Sequence, residues 1–88
     1  MSNLNNNVEN LHIGKFVKEQ LRNNGQSIVW LTKQLGYDRS KIYRIFYNPD
    51  IFVSNLMKIS VALKHNFFED LSKQFEQIMD NQGEKYRS

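Results

Sequence analysis

The chain has no cysteine among its 88 residues, a single proline, four glycines and two histidines. Without cysteine there is no disulfide and no thiolate metal site, a composition that suits a cytoplasmic protein. His12 and His65 lie far apart in sequence and neither has a partner at ligand spacing, so no metal or other cofactor is expected. No apolar run approaches the roughly 20 residues of a membrane span. The opening MSNLNNNVEN has neither the basic flank nor the apolar stretch of a signal peptide, so no membrane partner is expected. Also missing are a nucleophile at base spacing, a glycine loop that could cradle phosphate and a plausible carboxylate pair, so the sequence does not read as an enzyme. At this length the chain makes one domain at most, whose single core supplies only a few kcal/mol of net stability.

The charge is small in sum and uneven in place. Net charge is +3. Residues 12–65 carry nine Lys and Arg against three acidic residues, a net +6, whereas residues 66–88 carry three against five, a net −2, and Glu9 adds −1. The basic middle is a candidate phosphate-binding surface, although solvated lysines on helix exteriors would look the same.

Apolar spacing and punctuation divide the chain into helices. Residues 1–10 lack periodicity and should form a mobile tail. Ile13, Phe16, Val17 and Leu21 recur at helical spacing until Gly25, which can take the left-handed conformation that ends a helix. Ser27 can cap a second helix whose Ile28, Leu31, Thr32 and Leu35 share a face before Gly36 turns the chain. Asp38 can cap a third, with Ile42, Ile45 and Phe46 inward. At about 100° per residue, Ser40, Tyr43, Arg44 and Tyr47 then point outward with Arg39 and Lys41 on the flanks. Pro49 closes that helix by restricting the residue before it. A fourth helix is expected to bury Val53, Leu56, Met57, Ser60 and Leu63. A fifth opens at the capping-box spacing of Asn66 and Glu69, continues through Phe67, Phe68, Leu71, Phe75, Ile78 and Met79, and frays after about Gln82.

Two short amphipathic helices around Gly36 are the layout of a helix-turn-helix. The stretch from His12 to Ser72 resembles the helix-turn-helix family of the Cro and lambda repressors, the xenobiotic-response-element family. The residues that carry the likeness are Ile13-Gly14, Gly25-Gln26-Ser27, Leu31-Thr32-Lys33-Gln34-Leu35-Gly36, Asp38 to Ile45, and Leu56-Met57-Lys58-Ile59-Ser60-Val61-Ala62-Leu63. The resemblance implies an all-α, compact five-helix lambda-repressor-like domain over residues 11–72, here with an extended C-terminal helix whose extension and frayed end take up 73–88. It implies double-stranded DNA as partner, a third helix in the major groove, and often a homodimer on two half-sites. Position by position, the base readers fall on Arg39, Ser40 and Arg44, and arginine there can hold guanine O6 and N7 in a bidentate fork. Ser27 falls where members hold a phosphate, with Lys41, Tyr43 and Tyr47 as further backbone contacts.

Departures from the family pattern are all toward apolar residues. Ile28 stands where a glutamine is usual. Leu21 and Phe46 occupy the slots of a common arginine–glutamate pair and are expected to touch, an exchange that need not harm the fold. Trp30 lies about 200° from Ile28 around its helix, where members carry a polar residue; helix five, the N-terminal tail or a partner subunit would have to cover it. Phe75, Ile78 and Met79 pose the same choice and, with Trp30, form a candidate dimer surface. Two functions stay open. One is a small DNA-binding transcriptional regulator, with an antitoxin that pairs with a toxin as a subtype; the other is a protein-interaction module that keeps the fold with little DNA reading.

Overall fold

A computed structural model of the chain describes the backbone of residues 11–83 and the side chains of residues 11–80. The expected tail over 1–10 and the frayed end beyond Gly83 lie outside the described residues. The elements are α1 (Ile13–Asn23), α2 (Ile28–Leu35), α3 (Arg39–Tyr47), α4 (Val53–Leu63) and α5 (Phe67–Gly83), with no strand among the described residues. Residues His12–Phe67 gather into one helical unit, and α5 from Phe68 onward belongs to another.

Within the first unit the core is a set of i, i+3, i+4 stripes, as burial of one face of each helix requires. Val17 and Leu21 come from α1, Leu31 from α2, Ile42, Ile45 and Phe46 from α3, and Leu56, Ile59 and Leu63 from α4; Phe67 is buried as well. Helix α3 packs on α1 and α2, and α4 packs on the same two. Leu21 and Phe46, expected to touch, are both buried on helices that pack together. In the second unit Ile78 is buried and Phe75 and Met79 are exposed.

Caps and turns set the boundaries. Ser27 Oγ accepts from Trp30 N–H at 3.0 Å and an Asp38 carboxylate oxygen accepts from Lys41 N–H at 2.8 Å, so α2 and α3 each begin on a satisfied donor. Between them Gly36 takes φ 69°, and its N–H returns to the Thr32 carbonyl at 2.8 Å. Helix α1 uses an unusual cap, His12, whose Nδ1 accepts from Lys15 N–H at 3.1 Å. The two donors before Lys15 go elsewhere: Ile13 N–H reaches Pro49 O at 3.0 Å and Gly14 N–H reaches Asn48 O at 3.2 Å. The start of α1 is thereby bonded to the chain just past α3. This approach is closed to any side chain at 14, because a Cβ there would press on the Ile45 carbonyl oxygen and lie 2.5 and 2.6 Å from those of Phe46 and Asn48.

Helix α4 differs from expectation. Its buried stripe is Leu56, Ile59 and Leu63, while Val53 and Met57, expected inside, are exposed. The segment carries two apolar stripes, and periodicity alone does not say which faces in. Its C-terminus is held by Asn24 Nδ2, which donates to Leu63 O at 3.1 Å, and by His65 N–H, which donates to Ser60 O at 3.0 Å. Lys64 takes φ 53° to make that turn, a conformation that costs a residue with a Cβ about 1 kcal/mol or more. Lys64→Gly is therefore expected to raise unfolding stability by about 1 kcal/mol in urea titration; a lower midpoint at unchanged slope would show that the left-handed turn carries no strain.

Candidate nucleic-acid interface

The outward side of α3 is built from the inside out. Ile42, Ile45 and Phe46 anchor the helix, which leaves Arg39, Ser40, Tyr43, Arg44 and Tyr47 exposed. Ser40, Tyr43, Arg44 and Tyr47 follow i, i+3, i+4, i+7 and so line a single face. Asp38 fixes where this helix starts and Asn48 N–H, bonded to Ile45 O at 3.3 Å, helps close its end. A helix so pinned carries its arginines on a rigid element, which is what bidentate recognition demands.

Arg44 is flanked by depressions on both sides. One, of about 360 Å³, runs from Lys41 and Arg44 past Asn48 to Phe52 and Asn55; the other, of about 430 Å³, is shallower and lies among Tyr43, Arg44, Tyr47 and Pro49. The aromatic residues around them are not loosely hung. Tyr43 meets the buried Phe46 ring edge to face, with centroids 6.3 Å apart. Tyr47 is 71 % exposed yet has Lys18 Nζ from α1 at 5.9 Å from its ring centre. Lys18 thus joins the basic face, a contribution that sequence reasoning missed because it depends on how α1 packs on α3.

Lys41 is held more tightly than its sequence position suggested. Its ammonium sits 3.9 Å from the centre of the Tyr37 ring, and the Tyr37 hydroxyl donates to Asn55 Oδ1 at 3.0 Å. The turn of α2 into α3 is so tied to α4, and the Lys41 charge is fixed beside the α3 face. Ser27, at the start of α2, is exposed; its Oγ accepts the cap bond and keeps its own O–H free to donate. Of the residues grouped as a candidate dimer surface, Ile78 is buried and Trp30 half-buried, which leaves Phe75 and Met79 as exposed ones.

Other chemistry finds less material. Among the described residues no three His, Cys, Asp or Glu side chains come together as a metal site, and no helix is long and apolar enough to cross a membrane. Comparison with protein-family models, with curated proteins and with solved structures finds no match for this chain.

Proposed function

We propose that this chain binds double-stranded DNA in a sequence-dependent way, as a small transcriptional regulator of the Cro and lambda-repressor kind, with α2 and α3 as its helix-turn-helix. The observation that carries the reading is the outward side of α3: a serine, two tyrosines and Arg44 on one face with Arg39 on its flank, all exposed on a short helix capped at its start by Asp38. Such a helix is of a size to enter the major groove, where Arg39 and Arg44 would read guanine and Ser40 either base of a pair. Ser27 with the N–H groups opening α2, and Lys41, Tyr43, Tyr47 and Lys18 beside α3, would hold the phosphates. A cytoplasmic homodimer on two half-sites, with or without a toxin as protein partner, belongs to the same reading.

A salt titration tests it. Affinity for duplex DNA, followed by fluorescence anisotropy, should fall linearly on a logarithmic salt axis, with a slope that reflects several displaced counterions. Affinity that stays flat with salt, or that is no better for duplex than for an uncharged control polymer, would favour the interaction module instead. The feature that favours that second reading is the exposed apolar surface of α4.

A further inference from the structure

The rings around Arg44 offer more than duplex recognition uses. Phe52 is 79 % exposed, Tyr47 71 % and Tyr43 41 %, and all three line the two depressions that share Arg44 and Asn48. Phe52 on one side, and Tyr43 with Tyr47 on the other, therefore flank a single guanidinium along one surface of the His12–Phe67 unit. A tyrosine hydroxyl can grip a phosphate, but Phe52 has no polar side-chain atom and still holds its ring in water.

Cations are set among these rings. Lys41 and Arg44 line the Phe52 side, Arg44 lines the tyrosine side as well, and Lys18 Nζ stands 5.9 Å from the Tyr47 ring centre. Against these three cations the described residues of the two depressions include one carboxylate, Asp50. A positive excess of this kind favours a polyanion over an apolar protein segment as the occupant of the rings.

We propose that this surface binds an unpaired nucleic-acid strand, with bases stacked on Phe52 and Tyr47 and the phosphates held by Arg44, Lys41 and Lys18. The alternation of ring and cation carries the inference. Every base has a π-face that an aromatic side chain can take, and the phosphates that join successive bases need positive charge along the same path. A duplex cannot use the rings in this way, because its base faces stay covered inside the stack until a nucleotide is extruded. The inference goes beyond the duplex reading, which rests on the tips of Arg39, Ser40 and Arg44; here the ring faces carry the binding. Stacking and phosphate contacts ask nothing of the sugar, so DNA and RNA strands are equivalent occupants.

Fluorescence anisotropy of the full chain with a labelled pyrimidine oligonucleotide of about 12 nucleotides, which cannot pair with itself, tests the assignment. Affinity should fall with salt, and the DNA and RNA forms of the strand should bind alike. Phe52→Leu keeps apolar bulk but removes the π-face, so it should weaken strand binding by at least about fivefold, and Phe52→Trp should hold it at the parent level or above. Tyr47→Phe should bind the strand as the parent does, whereas Tyr47→Leu should lose a factor like that of Phe52→Leu. Both positions are exposed, and circular dichroism confirms that each variant folds. Duplex affinity should not move in Phe52→Leu, because that ring neither reads nor positions the duplex.

A folded Phe52→Leu chain that binds the strand as tightly as the parent would overturn the proposal, since apolar contact alone would then suffice. So would strand binding that is absent or indifferent to salt, or binding confined to RNA, which would put the contacts on the ribose hydroxyl. The two readings fail separately. Absent strand binding beside salt-dependent duplex binding removes this inference alone, and strand binding without duplex affinity removes the duplex reading alone.

Discussion

Gly14→Ala is expected to cost the His12–Phe67 unit on the order of 3 kcal/mol or more, at the upper end of what an extra methyl does in a packed interior. The cause is the identity of the obstacles. The new Cβ would meet the carbonyl oxygens of Ile45, Phe46 and Asn48, and backbone oxygens cannot turn aside as the end of a side chain can. To admit the methyl, α1 must retreat from α3, which also stretches the bonds from Ile13 N–H to Pro49 O and from Gly14 N–H to Asn48 O. Those bonds satisfy helix-start donors, and leaving them unmade in a partly buried place adds to the cost. For a domain of this size the melting temperature should drop by more than about 12 °C. Gly36→Ala is the matched control. Its Cβ meets nothing within 4 Å, so only the left-handed backbone opposes it, and the loss should stay near 1–2 kcal/mol. A Gly14→Ala chain that melts with the parent would mean that α1 and α3 do not approach as described.

The second large effect concerns DNA. On a duplex selected from a random pool for tight binding, Arg44→Ala should lower affinity by about 5- to 150-fold, the equivalent of one lost bidentate guanine contact at 1–3 kcal/mol. On unselected duplex the loss should be smaller, because there the guanidinium supplies only one charge. The asymmetry is the signature of base reading. Removal of a cation that only neutralises phosphate, as Lys18→Ala should do, lowers both affinities alike and reduces the salt slope by about one. Equal losses for Arg44→Ala on selected and unselected duplex would move Arg44 from reading to mere positioning.

What the sequence made legible was chemistry that acts within a few residues. Ser27, Gly36 and Asp38 announced the turn because a cap oxygen and a left-handed glycine work on their own neighbours, and the structure uses all three as expected. The inward stripe of α3 was readable for a related reason: only one of its faces is apolar. Helix α4 offered two apolar faces, and the choice between Met57 and Ile59 was decided by packing on α1 and α2, which local periodicity does not encode. Gly14 marks the same boundary. Its need for glycine comes from carbonyls more than thirty residues further along. His12 was missed because histidine is an uncommon cap, although its Nδ1 lone pair can serve as well as a hydroxyl. On the candidate interface, Arg39, Ser40 and Arg44 were legible as an exposed edge. The pinning of Lys41 by Tyr37 and the arrival of Lys18 beside Tyr47 were not, since both depend on tertiary contacts.

The central claim is that α3 presents Arg39 and Arg44 to DNA. Its most direct measurement is a duplex titration of the Arg39→Ala, Arg44→Ala double variant beside the parent, with helical content and melting checked by circular dichroism. Both side chains are exposed, so the variant should fold and melt as the parent does, within the about 0.5 kcal/mol typical of surface changes. Its affinity for the selected duplex should fall by at least about tenfold, and its preference over unselected duplex should vanish. A folded double variant that binds the selected duplex as tightly as the parent would contradict the account.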